Sequence, residues 1–185
     1  MPDNLPVTAF AILGLLALDG DTLTGYEVKQ RADSTLRFYW VSPAMSQIYT
    51  ELGRLTRHGL VRASTEQDGA REVTSYAITE DGREALTSWM GSSTPGFPVL
   101  KHSVCLRLLM GDMGDAAQIE RMLEGYVAEC AAARDDLAQV REGLRGRDQP
   151  GESFFHPSLV ADWGLDYFGD EAEHARRALD RLRNG

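Results

Sequence analysis

Four apolar residues, Met45, Ile48, Leu52 and Leu55, repeat at helical 3-4-3 spacing, Gly59 stops the pattern, and two β-prone runs follow at once. An amphipathic helix that hands over directly to a short hairpin admits few folds. Ser42-Pro43 reads as the start of this helix, with Ser as N-cap and Pro at the first helical position, and the helix runs to His58. The strands are Leu60–Thr65 and Val73–Ile78, joined by residues 66–72 with Asp68-Gly69 as the turn. Upstream, Thr24 caps a helix over Gly25–Ser34, and Glu27 completes a capping box. Downstream, Thr79 caps a helix reaching about Met90, with Glu80 and Asp81 at its positive end. Helix, turn, helix, hairpin, helix is the order of a winged helix-turn-helix with a small β-hairpin wing.

The side of the Ser42–His58 helix away from its apolar stripe carries Ser46, Gln47, Thr50, Arg54 and Arg57. A solvated helix face has the same general look. Here no acid lies at the centre of the face, Arg and Gln suit base edges, and a wing follows. The expected partner is therefore double-stranded DNA. Gln47 is expected to read a base edge, most naturally adenine, while Arg54 or Arg57 meets phosphate or guanine and Ser46 fixes position on the backbone. Arg71, near the tip of the wing, reaches phosphate or the minor groove. The net charge of −9 opposes nucleic-acid binding in general. Its distribution matters more: residues 24–83 carry eight Lys/Arg and eight Asp/Glu, and the excess acid lies elsewhere. The competing expectation is a winged-helix protein–protein adapter without DNA binding. Added salt separates the two, because only the DNA complex weakens steeply.

The rest of the chain reads as mainly α. Leu5–Asp19 is apolar all round, the mark of a buried helix, and Asp19-Gly20-Asp21 ends it. The expected division is 1–91 for the DNA-binding domain, 92–98 for a linker and 99–185 for a helical dimerisation domain. Within the last, Val99–Met110 is a short helix and Gly111–Gly114 a break. From Asp115 to Arg145, Ile119, Leu123, Tyr126, Cys130, Ala133, Leu137, Val140 and Leu144 keep an unbroken 4-3 register. A helix about 45 Å long at ~1.5 Å per residue needs cover from the final helix, a second chain, or both. The final helix, Pro157–Asn184, sets Val160, Trp163, Tyr167, His174, Ala178 and Leu182 near one face. The expectation is a homodimer through Ile119, Leu123, Tyr126, Cys130, Leu137, Val140 and Leu144.

No phosphate-binding glycine loop, zinc-protease motif or nucleophile elbow is present, so an enzyme is not expected, and neither is a cofactor. The scattered His58, His102, His156 and His174 give no metal site, and Cys105 and Cys130 read as buried apolar side chains. The longest apolar run, Ala9–Leu18, is too short for a bilayer. The first residues, MPDNLP, lack the basic start of a signal peptide, which places the protein in the cytoplasm. Trp40, Trp89 and Trp163 are candidates for binding a small aromatic effector, against the ordinary role of aromatic rings as core.

The segments AILGLLAL (Ala11–Leu18), LTGYEVKQ (Leu23–Gln30), FYWVSPAMSQIYTELGRLTRHGLV (Phe38–Val61) and YAITEDGREAL (Tyr76–Leu86) together resemble the PadR family of bacterial transcriptional regulators. The resemblance covers residues 5–90 and is most specific from Ser46 to Val61; beyond that it is one of helical layout. It implies a homodimeric repressor whose terminal helices meet those of a partner. It also implies a response to small molecules such as phenolic acids or planar drugs. Tyr49 matches a tyrosine that the family places beside the DNA backbone, and Ser46, Gln47 and Thr50 fall where members contact bases and phosphates.

Overall fold

The structure, a computed structural model, describes residues 5–18, 22–68, 71–92, 95–96 and 101–184. The chain divides into two units, residues 1–95 and 96–185.

In the first unit, helix α1 (Val7–Ala17) is the spine, with Ile12, Leu13 and Leu16 wholly buried. These pack in one core with Val28 of α2 (Gly25–Thr35) and with Ile48, Leu52 and Leu55 of α3 (Met45–Arg57). Each such side chain contributes roughly 2 kcal/mol by leaving water. The expected stop of α1 at 19–21 lies outside the described residues. The capping box that starts α2 is present: Thr24 N donates to Glu27 Oε2 at 2.7 Å, and Glu27 N donates to Thr24 Oγ1 at 3.2 Å. The backbone bond from Thr24, then its hydroxyl, holds the Glu27 carboxyl below its ordinary pKa. Because the folded value is the lower one, this contribution is complete above the unfolded value of about 4.3 and is lost as pH falls through the folded one. Thr24→Ala is expected to cost about 1 kcal/mol in urea unfolding at neutral pH.

Helix α3 starts later than Ser42-Pro43 led us to expect. Its N-cap is Ala44, and no side chain caps it. Ser42 is otherwise engaged: its hydroxyl donates to Asp33 Oδ1 at 2.6 Å and accepts from Lys29 Nζ at 3.2 Å, tying the loop to α2. The other end matches its signal. Gly59 takes φ +73°, Gly59 N donates to Thr56 O, and Leu60 N donates to Leu55 O, both at 3.0 Å. That pair of bonds is a Schellman close, which needs the left-handed conformation that glycine adopts freely.

The wing is longer than expected. Strands β2 (Val61–Asp68) and β3 (Arg71–Ile78) pair antiparallel from Val61↔Ile78 to Asp68↔Arg71, so most of the loop expected at 66–72 is strand. Gly69 of the expected turn lies outside the described residues. A third strand, β1 (Leu23–Thr24), pairs with β3 and gives the order β1-β3-β2. Two residues leading straight into a helix leave no alternating pattern to read. Helix α4 (Glu80–Ser92) runs past Met90 into the expected linker, and Trp89 on it stacks against Phe10 of α1 with centroids 4.8 Å apart. The arrangement is a winged helix-turn-helix.

The second unit holds α5 (Ser103–Leu109), α6 (Ala116–Gly143) and α7 (Phe155–Asn184). Helices α6 and α7 form an antiparallel hairpin, pinned near one end by Arg183 against Glu120 and Glu124 and near the other by Arg141 between Asp148 and Asp162. Leu123, Cys130 and Leu137 of the expected dimer seam are buried within it. Cover for these three side chains thus comes from within the protomer, the intramolecular part of the cover expected for this helix. Ile119, Tyr126, Val140 and Leu144 are half-buried. The face that α7 turns to α6 is not the one carrying most of its large apolar residues. It consists of Ser158, Ala161, Gly164, Ala172, Ala175 and Leu179, while Val160, Trp163, Tyr167 and Leu182 are exposed. Small residues let the helices approach closely: a Cβ on Gly164 would lie 2.5 Å from Leu137 Cδ2. Large apolar residues therefore mark the outer side of α7.

Where α5, α6 and α7 meet, Tyr126 donates to Glu171 Oε2 at 2.7 Å and His102 Nε2 lies 2.8 Å from the same oxygen. Burial, then the Glu171 bond, pushes the Tyr126 hydroxyl far up, so it stays a donor. Burial alone would raise Glu171, but the bonds from Tyr126 and His102 hold it below the ordinary carboxylate range. Tyr126→Phe is expected to cost about 1.5 kcal/mol, the value of a hydrogen bond to a charged acceptor. Cys105, expected to be buried, is exposed. No helix among the described residues is long and apolar enough to cross a membrane.

Candidate nucleic-acid interface

Helix α3 presents an exposed band. Ser46, Gln47, Thr50 and Arg57 are exposed, as is Tyr49 at 50%. The apolar stripe turned inward puts them there, so one periodicity fixes both faces. Thr50 Oγ1 donates to Ser46 O at 2.8 Å and offers its lone pairs outward. Arg57 Nε donates to Gly53 O at 3.3 Å, which lays its stem along the helix. Arg54, expected in the same band, is only partly exposed and lies against buried Glu51. Arg71 opens β3, but its side chain lies outside what the structure describes.

Gly53 sits in the middle of this band, with nothing within 4 Å of where a Cβ would be. A mid-helix glycine without a positive φ gives the protein itself no benefit. Gly53→Ala is expected to stabilise the free protein by about 1 kcal/mol. It should also weaken DNA binding if a duplex packs against that spot. A gain in melting temperature with unchanged binding would place the duplex elsewhere.

Beside the band, between α2, α3 and the wing, runs a groove of about 670 Å³ lined by Tyr26, Met45, Tyr49, Thr74 and Tyr76 among others. Burial first, then nearby Tyr49, raises the Tyr76 pKa, which keeps its hydroxyl a neutral donor. Tyr49 owes its place to Gly25, where a Cβ would fall 2.5 Å from the ring. Sequence reasoning missed Tyr26, Tyr76 and Gly25. The signal for Gly25 was a glycine in the first turn of a helix with no turn to make.

The three tryptophans do not share a role. Trp89 is half-buried and stacked on Phe10, Trp40 is 38% exposed after α2, and Trp163 is 78% exposed on α7.

Residues 12–88 match the Transcriptional regulator PadR-like family. The chain is 36% identical over 154 residues to the Negative transcriptional regulator PadR of Bacillus subtilis, covering 83% of this chain and 82% of that one. Among solved structures it is similar to Bacillus subtilis PadR in complex with operator DNA, with TM-score 0.81 and 25% identity over 96% of this chain and 99% of that one. It shares its fold with the same regulator in complex with p-coumaric acid, with TM-score 0.78 and 23% identity over 97% of this chain and 100% of that one. The chain belongs to the PadR-like family of transcriptional regulators.

Proposed function

We propose that this protein is a homodimeric repressor that lays α3 into the major groove of operator DNA and changes its hold when a small aromatic molecule binds. The observation that carries the reading is the exposed band on α3 beside the tyrosine groove. In it Gln47 reads a base edge, Ser46, Tyr49 and Thr50 fix position on the backbone, Arg57 meets phosphate or guanine, and Arg71 reaches from the wing. The operator complex and the name of the Bacillus subtilis relative support a DNA-bound repressor. It carries out no catalysis and acts in the cytoplasm.

The outer face of α7, with Leu159, Val160, Trp163 and Tyr167 exposed, supports the dimer: a second copy removes this apolar surface from water. The p-coumaric acid complex of the relative supports an aromatic effector. Trp163 is the tryptophan best placed to report one, and its fluorescence should change and saturate on titration with phenolic acids. An equal change in wild type and Trp163→Phe would leave Trp163 out of effector binding, and no change in wild type would leave the effector without support.

The deciding experiment is selection of bound fragments from genomic DNA, followed by titration in a salt series. Half-sites should lie about 34 Å apart, or a multiple, and log affinity should fall with log salt by roughly 0.9 per phosphate neutralised. A monomer that retains no fragment even at low salt would sink the proposal. Binding to a protein partner with little response to salt would favour the adapter instead.

A further inference from the structure

Glu51 does not fit its surroundings. It occupies the inner side of α3 next to Leu52, is 5% exposed, and its Oε2 lies 3.1 Å from Arg54 Nε. Both atoms are shielded from solvent, and among the described residues neither has an aligned hydrogen-bond partner. Charge, not a directed bond, holds the pair. Yet 39% of the Arg54 side chain remains exposed. Burying a carboxylate is costly, and a pair of this kind is often no more stable than well-packed apolar side chains in the same space. Stability is therefore a poor reason for an acid here.

We propose that Glu51 is a positioning residue for DNA reading. It grips Arg54 by its inner Nε edge, fixes the direction of the terminal Nη groups, and cancels the arginine's charge. The inference rests on the DNA reading above. A free, flexible arginine attracts any phosphate, whatever the sequence. A tethered and neutralised one adds little to that attraction but keeps the planar fork that pairs with a guanine edge. Glu51 thus trades general affinity for discrimination.

Glu51→Gln keeps the shape and removes the charge. The full-length wild type, E51Q, R54K and the double variant E51Q/R54Q are titrated across a salt series against two duplexes. One is a genomic fragment selected by the wild type, and the other is a scrambled duplex of equal length. E51Q should bind the scrambled duplex more tightly, steepen its log–log salt slope by about 0.9 per protomer, and lose about tenfold in the ratio of specific to scrambled affinity. R54K keeps the charge pair but loses the fork, so its ratio should fall without the gain on scrambled DNA. E51Q/R54Q, which carries neither charge, should also lack that gain, which shows that it runs through Arg54. Parallel loss on both duplexes by E51Q, together with a lower melting temperature, would make Glu51 merely structural. Wild-type behaviour of E51Q on both would mean that it positions nothing. If the wild type selects no fragment, the DNA reading itself fails before any variant is compared.

Discussion

Replacing Gly82 with alanine should destabilise the winged unit by about 3 kcal/mol, the upper range for forcing an atom into packed space. The added Cβ would lie 2.2 Å from the Leu60 carbonyl oxygen and 2.9 Å from Ile78 Cγ1. Whether such a clash is severe depends on what can yield, and here little can. Leu60 N donates to Leu55 O in the close of α3, and Leu60 O accepts from Thr79 N, both at 3.0 Å. The Thr79 hydroxyl in turn donates to Gly59 O at 2.7 Å and accepts from Gly82 N at 3.1 Å. The end of α3, the base of the wing and the start of α4 thus converge on the adjacent carbonyls of Gly59 and Leu60. Relief requires α4 to move off the sheet. The measurement is the urea midpoint, with the slope held as a check on two-state behaviour. Gly91→Ala is the control, since it lies on the same helix with nothing within 4 Å of its Cβ. It should be neutral or slightly stabilising. Equal midpoints for the two variants would mean that α4 does not dock as described.

What the sequence made legible followed from periodicity and from local backbone chemistry. Ile48, Leu52 and Leu55 were readable as a buried stripe because helical spacing leaves few alternatives, and the exposed band on α3 came with them. Thr24 with Glu27 and Gly59 after His58 were readable because each satisfies particular backbone groups at a helix end. Features set by contacts distant in sequence were not readable. Ser42 looked like a cap, but Asp33 and Lys29 claim its hydroxyl from another helix. Glu51 went unread because only its residue type argues against burial: it stands three residues after Ile48 and four before Leu55, inside the buried register. In α7 the inner face was not legible for a definite reason: apart from Leu179 it is built from alanine, glycine and serine, and most of the large side chains stand outside. Apolar size indicates the buried face only when the partner helix keeps its distance.

Gly25→Ala should separate folding from function in a way Gly82→Ala does not. Its Cβ would fall 2.5 Å from Tyr49 Cε1, nearly as severe a clash on paper. The neighbour, however, is the ring of a side chain that is 50% exposed, not a pinned carbonyl. The ring can swing toward solvent, so the expected stability cost is only about 1 kcal/mol. The displaced ring leaves its place between α2 and the groove shared with Tyr76, where the proposed DNA backbone contact lies. Operator affinity should then fall about tenfold, equivalent to roughly 1.4 kcal/mol. Tyr49→Phe keeps the ring where it is and removes only the hydroxyl. If Tyr49 acts by hydrogen bonding to phosphate, Phe should reproduce most of the loss. If it acts by shape, Phe should bind like wild type while Gly25→Ala still fails. Undiminished operator binding by both variants would remove Tyr49 from the interface and leave the groove without a role in DNA recognition.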